Sequence, residues 1–91
     1  MPKYVIEREL PGAGNLSAEE LRAISEKSNG ILRDLGQGIQ WVHSYVGGDR
    51  IYCVYNSINR ELIEEHARCG GFPVTLITEV TNIIDPTTGG M

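Results

Sequence analysis

Two runs of alternating β-branched and aromatic residues, joined by a Gly-Gly-Asp turn, stand out in the middle of the chain. They extend from Trp41 to Tyr55 and predict a β-hairpin. Because successive side chains of a strand point to opposite faces, the pattern divides these residues into two sets. The first set is aromatic and partly polar, and it consists of Trp41, His43, Tyr45, Tyr52 and Val54. The second set suits a core beneath helices, and it consists of Val42, Ser44, Val46, Ile51, Cys53 and Tyr55.

Two helices are predicted on either side of this hairpin. Ser17 and Glu20 have the spacing of a capping box, which predicts that the first helix begins there. Gly36 follows the last apolar residue of that helix, where a C-terminal glycine is typical. The second helix is predicted to begin after Asn59, an N-cap type of residue, and to end at Gly70.

The strands complete a β-α-β-β-α-β order. Residues 3–9 predict the first strand and residues 74–84 the last, with a loose tail over about 86–91 and room for a short extra C-terminal strand. This order predicts a single domain over residues 1–91, an α+β ferredoxin-like sandwich. Its antiparallel four-stranded sheet should carry both helices on one face and leave the other face open.

Size and charge exclude several classes of protein. With 91 residues and a net charge of −4, the chain has no clustered basic face for nucleic acid. No apolar run approaches the roughly 20 residues of a membrane span, and the first residues do not resemble a signal peptide. Two cysteines do not make a disulfide framework, so we expect a reduced, cytoplasmic protein.

The open face of the sheet is predicted to carry the candidate chemistry. Alternation places Glu7 of the first strand and Glu79 of the last strand there, beside His43. One imidazole with two carboxylates suits a divalent metal such as Ni²⁺ or Zn²⁺. The same surface could serve proton transfer, with His43 as the base and Tyr45 orienting a substrate. A third interpretation is that His43 forms hydrogen bonds across a subunit interface and that the carboxylates are solvated.

The aromatic residues of the open face predict a homodimer. A contiguous apolar surface of this kind is unusual on a monomer, and a domain this small gains core by association. The predicted interface residues are Trp41, Tyr45 and Tyr52.

His66, Cys69 and Cys53 form a second group of potential ligands. His66 and Cys69 lie on the apolar side of the second helix, and Cys53 points from the sheet towards the helices. These residues could contribute to a zinc site, and His66 is the second choice of metal ligand after His43. Because no fourth ligand is evident, we expect both cysteines to be buried, reduced and structural.

Several motifs resemble a family of small bacterial proteins of unknown function, one member of which is described as a nickel-binding protein. The resemblance covers nearly the whole chain, and its motifs are the residues at 4–14, 41–45, 52–55, 65–67, 70–73 and 84–86. It implies a ferredoxin-like fold, a homodimer and Ni²⁺ binding at the dimer surface, with no ligand residue specified.

The sequence therefore predicts a small cytoplasmic metal-binding protein, with Ni²⁺ the first metal to test. The alternative is a cofactor-free enzyme similar to dimeric α+β barrel isomerases and monooxygenases, with an organic substrate in an aromatic cleft. An open metal site predicts little apolar cavity. An enzyme predicts a closed pocket between helices and sheet or between subunits.

Overall fold

The computed structural model describes residues 1–91 and contains one four-stranded sheet, two α-helices and two short 3₁₀ helices. The strands follow the order β2-β3-β1-β4, and all three neighbouring pairs are antiparallel. This arrangement confirms the predicted ferredoxin-like α+β fold. In chain order the elements are β1 (Lys3–Glu9), α1 (Ala18–Leu35), β2 (Ile39–Gly47), β3 (Arg50–Ser57), α2 (Arg60–Gly70) and β4 (Leu76–Val80).

Both helices begin at the capping residues that the sequence predicts. The Ser17 hydroxyl accepts a hydrogen bond from the Glu20 amide at 3.1 Å, and the Glu20 carboxylate accepts one from the Ser17 amide at 3.0 Å. The Asn59 side chain accepts from the Leu62 amide at 2.9 Å and caps α2. These bonds satisfy amides that the helix itself leaves without acceptors. No helix of the chain is long and apolar enough to cross a membrane.

The core lies between the two helices and one face of the sheet. Alternate residues of the central strands β1 and β3 enter it, because successive side chains of a strand point to opposite faces of the sheet. Ile63 of α2 is fully buried against them, and Leu32 and Leu35 of α1 pack on the same cluster. The sheet residues of the cluster are Tyr4, Ile6, Ile39, Ile51, Cys53, Tyr55 and Ile77.

A β-bulge in β2 overturns the predicted position of Trp41. The register pairs Trp41 with Tyr55 but His43 with Val54, so one extra residue, Val42, lies between them. Trp41 therefore packs on the helix side, where its indole N–H donates to the Ser44 hydroxyl at 2.9 Å. His43 stays on the open face. The prediction that Trp41 lies on that face is wrong, because simple alternation does not continue through a bulge.

The last strand has the opposite facing to the one predicted. Ile77 pairs with Ile6 and is buried, whereas Leu76 is 51% exposed. Glu79 pairs with Tyr4, a core residue, so it lies on the helix side of the sheet. Because Leu76 and Ile77 are both apolar, the local pattern fits either facing.

The last strand is also shorter than predicted. Strand β4 covers Leu76–Val80 and not residues 74–84, and no further strand follows it. Residues 81–91 are exposed throughout. Within the predicted loose tail, Pro86–Gly89 forms a short 3₁₀ helix that is capped by Asp85.

Candidate functional site

The open face presents two parallel rows of side chains. One row crosses the sheet from Tyr45 through Tyr52 and Glu7 to Leu76. The neighbouring row begins at His43, which is exposed and meets the Tyr45 ring edge-on with 4.9 Å between centroids. Tyr45 is 62% exposed and Tyr52 is 37% exposed. The open face therefore places an accessible imidazole beside two accessible phenols.

The three predicted metal ligands do not form a single site. His43 and Glu7 share the open face, but β3 separates their strands and Glu7 lies two residues further along the sheet, so strand geometry puts them roughly 12 Å apart. The Glu7 carboxylate lies 3.6 Å from the Arg50 guanidinium and forms an ion pair with it. Glu79 lies on the other side of the sheet. No group of three His, Cys, Asp or Glu side chains within the chain could hold a metal ion.

His66, the second choice of metal ligand, is fully buried between α1, α2 and the sheet. Its Nε2 lies 3.0 Å from the Ser28 hydroxyl, and its Nδ1 lies 3.5 Å from the Tyr55 hydroxyl. The ring also lies against Phe72, with 5.3 Å between centroids. Burial, together with the positive charge of Arg8, lowers the pKa of His66 to about 4. With both ring nitrogens occupied, His66 has a structural role.

The two cysteines differ in environment. Cys53 is buried in the core, as predicted, and both thiols are free. Cys69 is exposed, so the prediction that both are buried is wrong for this residue. It lies on the solvent side of α2, where its thiol donates to the Glu65 carboxylate at 3.5 Å.

An apolar cavity of about 260 Å³ lies between α1 and the helix-facing side of the sheet. The enzyme alternative predicted a closed pocket in this position, whereas this cavity is partly open to solvent. Neither His43 nor Tyr45 lines it, because both lie on the opposite face, so these two catalytic candidates have no part in it. Most of its walls are apolar side chains, chiefly Leu10, Leu21, Ile24, Trp41, Val46 and Ile51.

Arg8 is the residue of this cavity that the sequence analysis did not identify. It lines the cavity and is only 4% exposed. Its Nε donates to the Cys53 sulfur at 3.4 Å and its Nη1 to the Pro73 carbonyl at 2.8 Å, while its Nη2 is buried with no hydrogen-bond partner. The signal was present in the sequence. Arg8 follows Tyr4 and Ile6 at a spacing of two, so it shares their core-facing side.

The fold and the sequence together identify the family. The sheet order and the two helices on one face define a ferredoxin-like α+β protein. The crystal structure of SCO4226 from Streptomyces coelicolor A3(2) is similar, with a TM-score of 0.75 and 13% identity over 90% of this chain and 99% of that chain. No curated protein matches the chain significantly. A family model described as nickel responsive protein SCO4226-like matches residues 4–80, so the chain belongs to that family. This confirms the family resemblance that the sequence motifs indicated.

Proposed function

We propose that this protein binds Ni²⁺ as a cytoplasmic homodimer, with His43 as the ligand that each protomer contributes. The observation that carries the proposal is the contrast between the two histidines. His43 is exposed on the open face, whereas His66 is buried with both nitrogens occupied. Imidazole is a favoured Ni²⁺ ligand, and only His43 offers one to solvent. The description of the family as nickel responsive supports the same metal.

The proposed site needs two copies of the chain. One chain does not bring three potential ligands together. Glu79 cannot join His43, because it lies on the helix side of the sheet. If two open faces pack around a twofold axis, the His43 side chains of both protomers can approach each other near that axis. Glu7 lies on the same face and supplies the nearest predicted carboxylate. A symmetric interface would thus double a set of ligands that is incomplete in the monomer.

Calorimetric titration of untagged protein with Ni²⁺ tests the proposal. We expect the His43→Ala variant to lose at least about tenfold in affinity, because it removes the main nitrogen ligand. Glu79→Gln is the matched control. It changes a carboxylate that the sequence predicted as a ligand but that lies on the other face, so its affinity should equal that of the wild type.

Three results would contradict the proposal. Equal affinity of wild type and His43→Ala would remove His43 from the site. A loss in Glu79→Gln as large as that in His43→Ala would place the metal elsewhere. One Ni²⁺ bound per chain by a protein that stays monomeric during the titration would exclude a shared site.

A further inference from the structure

We propose that the cavity beneath α1 is a binding site for a compact apolar carboxylic acid, whose carboxylate is bound by Arg8. The cavity lies on the opposite side of the sheet from His43, so this site is separate from the proposed nickel site. The inference depends on the charge of Arg8, on the way its guanidinium is held, and on the composition of the cavity walls.

Arg8 carries a buried positive charge without a carboxylate partner. The residue is 4% exposed, and no Asp or Glu oxygen lies within 4.0 Å of its guanidinium nitrogens. Buried charges in proteins are normally paired, because removing an ion from water is costly. Lys27 adds a second cation nearby, with its ammonium 5.5 Å from the Phe72 ring centroid. The local charge therefore favours an anion and opposes a metal cation.

Neighbouring groups hold the guanidinium in a fixed orientation. Cys53 and Pro73 accept from Nε and Nη1, and the Phe72 ring centroid lies 5.6 Å from the guanidinium carbon. Nη2 alone lacks a partner. A guanidinium that is positioned in this way suits a carboxylate, which can accept a charge-assisted hydrogen bond from the free Nη2.

The remaining polar groups of the cavity already have partners. The Ser25 hydroxyl donates to the Leu21 carbonyl at 2.8 Å. The Ser28 hydroxyl bonds to His66, and the Ser44 hydroxyl accepts from Trp41. Burial raises the pKa of Tyr55 to about 12, which keeps its phenol neutral. The cavity therefore presents one unmatched charge in otherwise apolar walls, which is the complement of an apolar molecule with one anionic group.

The volume limits the size of the ligand. About 260 Å³ corresponds to roughly nine times the share of one liquid water, about 30 Å³. Pockets for drug-sized ligands run from about 300 to 1,000 Å³. The volume therefore suits an acid whose apolar part is one aromatic ring or a short branched chain.

Binding of 3-phenylpropanoate to the untagged full chain tests the proposal, with 3-phenylpropanamide as the uncharged match. In the wild type we expect ligand-dependent shifts of the Trp41 indole N–H resonance in NMR titrations. The acid should bind at least about tenfold more tightly than the amide, because only the acid can pair with Arg8. Inorganic phosphate should compete weakly, since it has no apolar body to fill the cavity.

Two variants assign the effect to Arg8. Arg8→Met should lose at least about tenfold in affinity for the acid while binding the amide as the wild type does. Arg50→Met is the matched control, because Arg50 is a partly exposed arginine of the same sheet that pairs with Glu7 on the open face. Its affinity for the acid should be unchanged. The acid-to-amide comparison in the wild type remains decisive if Arg8→Met does not fold.

The proposal would be overturned if the acid and the amide bound equally, if neither bound at millimolar concentration, or if phosphate competed as strongly as the acid. Because the titrations contain no Ni²⁺, their outcome is independent of the nickel proposal. A His43→Ala variant should bind 3-phenylpropanoate with wild-type affinity. Loss of acid binding in that variant would show that the site is not the cavity beneath α1.

Discussion

At the scale of single residues, two buried side chains that carry or could carry charge determine the chemistry of the helix side of the sheet. Arg8 keeps its charge and lacks a carboxylate partner, while burial keeps the His66 ring neutral by lowering its pKa. Arg8 also contributes to the lowered pKa of His66. Protonation of His66 would place two cations close together in the core. The charge of Arg8 therefore helps to keep the His66 ring neutral.

The environment of His66 predicts how stability depends on pH. Its pKa is about 4 in the folded protein, against 6.5 for an unperturbed imidazole, so the unfolded chain takes up the proton first as the pH falls. The stability that the neutral, buried His66 contributes to the folded protein is fully present well above about pH 6.5. It is lost progressively as the pH falls towards about 4. We expect the free energy of unfolding in urea to decrease by about 1 kcal/mol between about pH 7.5 and 5.5 from this source.

A His43 variant distinguishes the contribution of His66 to this pH dependence from that of His43. His43→Ala should show the same decrease, because His43 is exposed and makes no contact with the core. An NMR titration of the folded wild type should find the His66 ring neutral at about pH 5.5. Protonation of His66 in the folded protein near pH 6.5 would disprove this account of its burial.

At the scale of secondary structure elements, the glycines of the two helices differ in what surrounds them. Gly30 lies in the interior of α1, and a Cβ added there would meet no atom within 4 Å. Gly70 ends α2, and a Cβ there would collide with the Phe72 ring. Phe72 in turn contacts Arg8 and forms part of the cavity wall. Of these two positions, packing requires a glycine at residue 70 and not at residue 30.

The same substitution at these two glycines should therefore have opposite effects. Gly30→Ala should raise the free energy of unfolding by about 0.5–1 kcal/mol, because alanine restricts the unfolded chain and favours the helix. Gly70→Ala should lower it by about 1–3 kcal/mol through the displaced Phe72 ring. Urea unfolding of the two variants measures both effects. Destabilisation by Gly30→Ala would contradict the open space around this position.

At the scale of the whole molecule, the sheet has one covered face and one open face. The helices cover the first, while Tyr45, Tyr52 and Leu76 remain exposed in a row across the second that includes the half-buried Glu7. A row of this kind favours association, because packing a second copy against it would remove apolar surface from water. The homodimer of the proposed function would use this face.

Light scattering on a sizing column tests this association. The wild type should have about twice the mass of one chain, and Tyr45→Arg should shift the equilibrium towards monomer, because it puts an unpaired charge in the interface. Ile83→Arg is the matched control, since Ile83 is 71% exposed and follows the last strand instead of belonging to the sheet. A wild type that is monomeric at micromolar concentration would refute the homodimer.

The sequence by itself determined the element order, both helix starts and the facing of β1. These features depend on local interactions. A capping box joins residues three apart, as with Ser17 and Glu20, and alternation along an unbroken strand joins residues two apart. The hairpin also follows from its turn and its two β-rich runs, and the fold class follows from the order. The motifs sufficed to identify the family.

Only the tertiary structure decided which side chains meet. The bulge at Val42 turned Trp41 to the helix side, because the pairing of β2 with β3 includes one extra residue that the local pattern does not reveal. The pairing of Ile77 with Ile6 placed Glu79 on the face opposite His43, although the alternating pattern of β4 allowed either facing. Whether Arg8 has a counter-ion depends on residues distant in the sequence, so its unmatched charge became visible only once the core was assembled.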